Sequence, residues 1–151
     1  MQNYNQDKIV PSLWFSTDGG KISRVLEYYK SIFEKDFEAG ETMDLGETPS
    51  GKTEMAFVRI FGKTYCLMNT GKPHHQFNDS IAFTINCDDQ SEIDRYWNYF
   101  TKEGKESMCG WCEDQFGLRW QIIPKNFGEL MSRPNSWSVM MRQKKIVIEE
   151  Y

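Results

Sequence analysis

The chain has 151 residues, 39% of them hydrophobic and 15% aromatic. That is enough to bury a sizeable core in one domain or in two half-sized units, and it excludes a disordered chain. Its 18 Lys and Arg against 22 Asp and Glu leave a formal net charge of −4, which excludes a broad electrostatic footprint for nucleic acid or an anionic membrane. No apolar run reaches the roughly 20 residues that cross a bilayer, and the polar start from Met1 to Lys8 does not read as a secretory leader. A cytoplasmic protein is expected, in which Cys66, Cys87, Cys109 and Cys112 remain thiols.

In chain order, Lys8 to Ser16 reads as a buried strand that ends in the turn Thr17-Asp18-Gly19-Gly20. Ile22, Val25, Leu26, Tyr29, Ile32 and Phe33 recur at spacings of three and four, which predicts an amphipathic helix from about Lys21 to Phe33. Phe37 to Leu45 is a weak strand, Gly46 to Lys52 a turn cluster, and Thr53 to Phe61 and Thr64 to Asn69 are strands around a Gly62-Lys63 turn. After the polar loop Thr70 to Asp79, Ser80 to Cys87 is a buried strand. Asp88, Asp89 and Ser91 are capping candidates for a second helix carrying Ile93, Tyr96, Trp97 and Phe100. Strands follow around Cys109 to Gln115 and Leu118 to Pro124, then short helical patterns and a strand-like Ile146-Val147-Ile148.

The order repeats. Phe61-Gly62 through Met68 lines up with Phe116-Gly117 through Ile123. Arg24, Tyr28 and Tyr29 match Arg95, Tyr99 and Phe100, and Ser12, Phe15 and Ser16 match Ser80, Phe83 and Thr84. The predicted organisation is a tail at residues 1–7, a first βαβββ unit at 8–70, a linker at 71–79, a second βαβββ unit at 80–124 and a helical and extended tail at 125–151, forming a single domain overall. Strand side chains alternate between faces. One face collects Leu13, Phe15, Tyr65, Leu67, Ile81, Phe83, Ile85, Leu118, Trp120 and Ile122, all suited to packing under the helices. The other collects Ser12, Trp14, Cys66, Met68, Ser80, Ala82, Thr84, Arg119, Gln121 and Ile123. Such a mixed face lines a ligand cavity or meets solvent or a second subunit.

Three motifs compete with this reading. Gly46-Glu47-Thr48-Pro49-Ser50-Gly51-Lys52-Thr53 satisfies the phosphate-loop pattern, but a phosphate loop must open a helix; the β-rich Met55 to Phe61 predicts a hairpin instead. Cys109-Gly110-Trp111-Cys112 has C-x-x-C spacing, yet in a strand positions three apart face opposite sides, which separates the two thiols. His74 and His75 fall in a polar loop, either at the surface or at a cavity mouth. Trp14 and Trp111 offer flat apolar walls with one donor each, Gln121 can donate and accept at once, and Arg119 can pair an anion or solvate the rim.

Pro11-Ser12-Leu13-Trp14-Phe15, Ser80-Ile81-Ala82-Phe83, Asp94-Arg95-Tyr96-Trp97, Cys109-Gly110-Trp111, Asp114-Gln115-Phe116-Gly117 and Trp120-Gln121-Ile122-Ile123-Pro124, with Met140-Met141 and Lys144-Lys145-Ile146 in the tail, carry a resemblance. The chain resembles the vicinal oxygen chelate superfamily of glyoxalase I, bleomycin resistance proteins and extradiol dioxygenases. Within it, the chain resembles the PhnB-like branch named after 3-demethylubiquinone-9 3-methyltransferase. The resemblance implies an α+β fold of two βαβββ repeats whose mixed sheets form a cleft, and a homodimer. Metal-binding members place His and Glu at positions that fall near Ser12, Cys66, Ser80 and Gln121. None of these is His, Glu or Asp, so no metal and no cofactor is expected. The expected function is the binding of a small molecule of unknown identity in the cleft, with Ser12, Trp14, Cys66, Met68, Ser80, Cys109, Trp111, Arg119 and Gln121 as candidate contacts. The alternatives are an enzyme of the same fold (a lyase, an isomerase or the methyltransferase of the name) or a structural dimer.

Overall fold

Alternating strands and helices of three-and-four spacing sort the apolar side chains onto one face of each element, and the fold brings those faces together. A computed structural model describes residues 7–73 and 75–151. Residues 1–6 of the polar start and His74 lie outside the described residues. The chain divides into two compact units, Met1–His75 and Gln76–Tyr151. The first unit holds β1 (Ser12–Phe15), α1 (Ser23–Phe33), β2 (Phe37–Ala39), β3 (Met43–Thr48), β4 (Gly51–Ile60) and β5 (Lys63–Thr70). The second holds β6 (Ala82–Cys87), α2 (Gln90–Glu103), β7 (Lys105–Glu106), β8 (Trp111–Glu113), β9 (Arg119–Pro124), α3 (Phe127–Met131) and α4 (Ser136–Arg142).

The two sheets have one topology. In the first the order is β1-β5-β4-β2, with β1 parallel to β5 and the rest antiparallel; in the second it is β6-β9-β8-β7, with β6 parallel to β9. Each unit is therefore a βαβββ repeat, and the first carries one extra strand, β3, hairpinned onto β4. That hairpin is the phosphate-loop pattern: its turn falls at Pro49-Ser50 and Lys52 pairs with Glu47 in the ladder, so no helix N-terminus follows.

In the first unit α1 buries Val25, Tyr29, Ile32 and Phe33 with Leu13, Phe15, Ala56, Val58 and Leu67. Tyr29 meets Phe15 at 6.1 Å and stacks on Phe33 at 6.3 Å. In the second, α2 buries Ile93, Tyr96, Trp97 and Phe100 with Trp120 and Ile122; Phe100 lies flat on Trp120 at 4.6 Å. Asp89 caps α2 by accepting the Glu92 N–H at 2.9 Å, and the Glu92 carboxylate reaches back past the cap to accept the N–H of Asp88.

The tail departs from the sequence reading. Ile146 is fully buried, but Ile146-Val147-Ile148 forms no strand, and a short 3-10 turn begins at Ile148. Side chains take the backbone groups a ladder needs: Gln143 accepts from the Val147 N–H, and Gln90 accepts from the Ile148 N–H and donates to the Ile146 carbonyl.

Candidate functional site

In the first unit the side of the sheet opposite α1 is set by register. Ser12 lies across from Cys66 and Trp14 from Met68 in the β1–β5 pair, while Phe57 faces Cys66 and Met55 faces Met68 across β4–β5. These six share one face, as alternation requires. Trp14 is 36% exposed and its indole N–H donates to the Thr70 hydroxyl at 3.3 Å, where the Ser16 hydroxyl also meets it at 3.3 Å. Cys66 is buried; burial pushes its thiol pKa up, against a smaller downward pull from the Ser12 hydroxyl bonded to it. The sequence reading missed Met55, Phe57 and Thr70, although the alternation of Met55, Phe57 and Arg59 with Ala56, Val58 and Ile60 carries the signal.

In the second unit Trp111 and Thr84 lie on either side of Gln121. The Thr84 hydroxyl donates to Gln121 Oε1 at 3.3 Å, and Trp111 is 37% exposed. Ser80 is not on this face: β6 starts at Ala82, and Ser80 sits in the preceding turn with its N–H on Asn78 Oδ1. If Gln121 repeats the place of Cys66, then Thr84, not Ser80, repeats the place of Ser12. The structural register thus corrects the sequence match of Ser12 with Ser80 by four residues. Ile81, placed with the helix-facing set, is half exposed for the same reason.

Arg119 is already engaged within its own unit. Its guanidinium donates to Asp79 at 2.8 Å and to the Phe77 and Gly117 carbonyls, and it pairs with Glu113 at 3.2 Å. It holds the entry to β6 against the start of β9, so any ligand anion competes with two carboxylates.

Cys109 lies in the turn before β8, outside any strand, and Cys112 on the helix side is buried across from Trp120. Burial pushes the Cys112 thiol up to about 12, with Asp114 and Glu113 adding, and the Cys87 thiol up to about 12. Only thiolates are good nucleophiles. Native protein will therefore take up one maleimide quickly, at the half-exposed Cys109, and unfolded protein four. Intact mass after timed labelling reads this; labelling of Cys66 as fast as Cys109 would contradict the burial argument. His75 is exposed.

Among the described residues no three His, Cys, Asp or Glu side chains converge as a metal site. Neither the hydroxyl and thiol of the first unit nor the hydroxyl and amide of the second makes the imidazole and carboxylate cage that divalent ions of the Zn or Mn type require. The donor set does not fit such a metal.

Residues 7–123 match the protein family described as 3-demethylubiquinone-9 3-methyltransferase. Of the solved structures, this chain is similar to the PhnB protein from Bacillus cereus, with a TM-score of 0.65 at 21% identity over 78% of this chain and 99% of that one. It is also similar to the genomically encoded fosfomycin resistance protein FosX from Listeria monocytogenes, with a TM-score of 0.55 at 17% identity over 85% and 99%. FosX from Mesorhizobium loti gives a TM-score of 0.55 at 12% identity over 85% and 98%. At these identities the likeness is one of fold. One Listeria FosX structure is a complex with Mn(II) and sulfate. No curated protein matches the chain. A family match across most of the chain, on two mixed-sheet βαβββ units, places the chain in the 3-demethylubiquinone-9 3-methyltransferase family.

Proposed function

We propose that this PhnB-like protein binds a small molecule against the open faces of its sheets without a metal ion, as a cytoplasmic homodimer. The observation that carries the reading is the open face of the first unit. Trp14, on the edge strand β1, stays partly exposed beside Met68 of β5, with Met55 and Phe57 on the same face and the hydroxyls of Thr70 and Ser16 next to the indole. That lining offers a flat apolar wall and a few neutral hydrogen-bonding groups, the usual composition of a small-molecule site. The dimer rests on the sheet edges: β1 and β6 each pair on one side only among the described residues, and such edges are commonly covered by a second chain. No helix among the described residues is long and apolar enough to cross a membrane.

The family's name implies S-adenosylmethionine, and the residues present do not fit it. Binding of such a cofactor uses a glycine-rich turn between a strand and a helix, left open for close approach. The β1–α1 turn here does contain Gly19-Gly20, but a side chain on Gly20 would sit 2.0 Å from the Lys52 carbonyl oxygen. The turn is packed against β4 and its glycine serves that contact.

The test is a thermal-shift and tryptophan-fluorescence screen with aromatic and lactone-like compounds, with and without chelator. A hit whose affinity is indifferent to chelator and falls roughly tenfold in Trp14→Ala, the loss of about 1.4 kcal/mol of aromatic contact, is the expected result. Binding that chelator abolishes would overturn the metal-free reading, and the absence of any hit would favour a structural dimer.

A further inference from the structure

The four sulfur side chains Met108, Cys109, Met140 and Met141 come from two segments about thirty residues apart, and the second unit brings those segments side by side. Backbone bonds fix the approach: the Cys109 N–H donates to the Gln143 carbonyl at 2.8 Å and the Gly110 N–H to the Lys144 carbonyl at 2.7 Å. Cys109 is held at φ 58, and α4 presents Met141 from its last turn. The Cys109 thiol donates to Met141 Sδ at an S···S distance of 3.9 Å. Met141 is 50% exposed, Met108 is 41% exposed and Cys109 is partly exposed, so the pair lies at the surface of the unit.

We infer that Cys109 and Met141 form a binding site for a soft monovalent metal ion, Cu(I) or Ag(I), separate from the open sheet faces. A separation of 3.9 Å is the bite such an ion needs. An ion about 2.3 Å from each sulfur, the common metal–thiolate distance, would see them at an angle of about 115°, close to trigonal. Ligand chemistry selects the ion. Thiolate and thioether are soft donors that favour Cu(I), while Zn(II) and Mn(II) want imidazole, carboxylate or several thiolates. Charge selects it too: one thiolate neutralises a monovalent ion and leaves a divalent one charged. On binding, the thiol loses its proton to solvent and the sulfur lone pair forms the metal bond, so one proton is released per ion and no electron moves.

The experiment is an anaerobic titration of the intact protein with Cu(I) held by a chromophoric chelator, repeated with Ag(I), which needs no reductant. The expected result is one ion per chain with release of one proton. Cys109→Ala should weaken binding by about 100-fold and Met141→Leu by about 10-fold, the range seen when metal-supporting groups are removed. Cys112→Ala, buried on the helix side of β8, should bind as the unaltered chain does. Met141 is exposed and its replacement by leucine keeps volume, so this variant tests the pair even if Cys109→Ala proves poorly folded; circular dichroism monitors both. Three results overturn the site: the chelator retains the metal, binding survives loss of Cys109, or Met141→Leu binds as tightly as the unaltered protein. The last would mean that a single surface thiol holds the ion.

Discussion

Asn69→Ala will lower the thermal midpoint by about 6–12 °C, the equivalent of roughly 3 kcal/mol in a chain of this size. Asn69 is the penultimate residue of β5, is fully buried, and ties the β5 end to the turn between β1 and α1 through both its oxygen and its nitrogen. Its Oδ1 accepts the Thr17 N–H at 2.9 Å; its Nδ2 donates to the Thr17 carbonyl at 2.8 Å and the Lys21 carbonyl at 2.6 Å. Alanine removes all three bonds and leaves the Thr17 N–H and the Lys21 carbonyl unsatisfied, each at about 1–3 kcal/mol where water is excluded, while the Thr17 carbonyl keeps the Gly20 N–H. Across the ladder from Asn69, Glu54 accepts the Ile22 N–H at 2.9 Å, just before the first turn of α1. Adjacent strands therefore fix the start of the helix whose far face carries the core.

Asn69→Asp sharpens the test through pH. The replacement carboxylate would face two carbonyl oxygens in a buried site, which raises its folded pKa above the unfolded value near 3.9. Stability from the protonated form, which can still donate once, is present below that value and lost as the pH rises through the raised one. The deficit relative to the unaltered protein should be smaller near pH 4 than near pH 7. A midpoint for Asn69→Ala within about 2 °C of the parent, or a pH-independent deficit for Asn69→Asp, would show that the turn is held elsewhere.

The faces of the sheets were legible from alternation alone. Leu13, Leu67, Trp120 and Ile122 are buried toward the helices, and Trp14 and Trp111 stay partly exposed on the other side. The register of β6 was not legible, and the reason is the period itself. A slip of two or four residues leaves every side chain on its proper face, so matching Ser12 to Ser80 kept the parity right while misplacing the residue opposite Gln121, which is Thr84. Hydrogen bonding over long range was equally hidden. Nothing in the local pattern marks Asn69 as bonding to Thr17, or Gln90 as occupying the backbone of Ile146 and Ile148. Apolar periodicity read Ile146 to Ile148 as a strand because it reports burial, and burial is right for Ile146; which groups satisfy the backbone is a separate matter that side chains far along the chain decide. Arg119 shows the same limit, since its rim position was readable and its partners Asp79 and Phe77 were not.

Asp114→Ala will be at least as damaging in the second unit, by about 3–5 kcal/mol, because hydrogen bonds to a charged acceptor contribute more than neutral ones. Asp114 is 2% exposed. Its Oδ1 accepts the N–H of Phe116 at 2.9 Å and of Leu118 at 3.1 Å, and its Oδ2 accepts the Trp120 indole N–H at 2.9 Å. One carboxylate thus folds the Asp114-Gln115-Phe116-Gly117 turn and orients the indole that stacks on Phe100, so the motif that carries the family resemblance is a structural joint between β8 and β9. Asp114→Asn separates the two tasks. Its amide oxygen can still accept from the turn, but its NH₂ then meets the indole N–H, donor against donor. Asn is therefore expected to cost less than Ala yet still about 1–3 kcal/mol. Trp120→Phe removes the indole donor and keeps a ring for Phe100. In the unaltered protein that change takes the indole donor away from Asp114 Oδ2; in Asp114→Asn it relieves the donor clash. The double-mutant cycle should therefore show the two changes costing less together than their sum, by about 1 kcal/mol or more. Strict additivity in urea unfolding would mean that the indole bond contributes nothing, and that the aspartate acts on the turn alone.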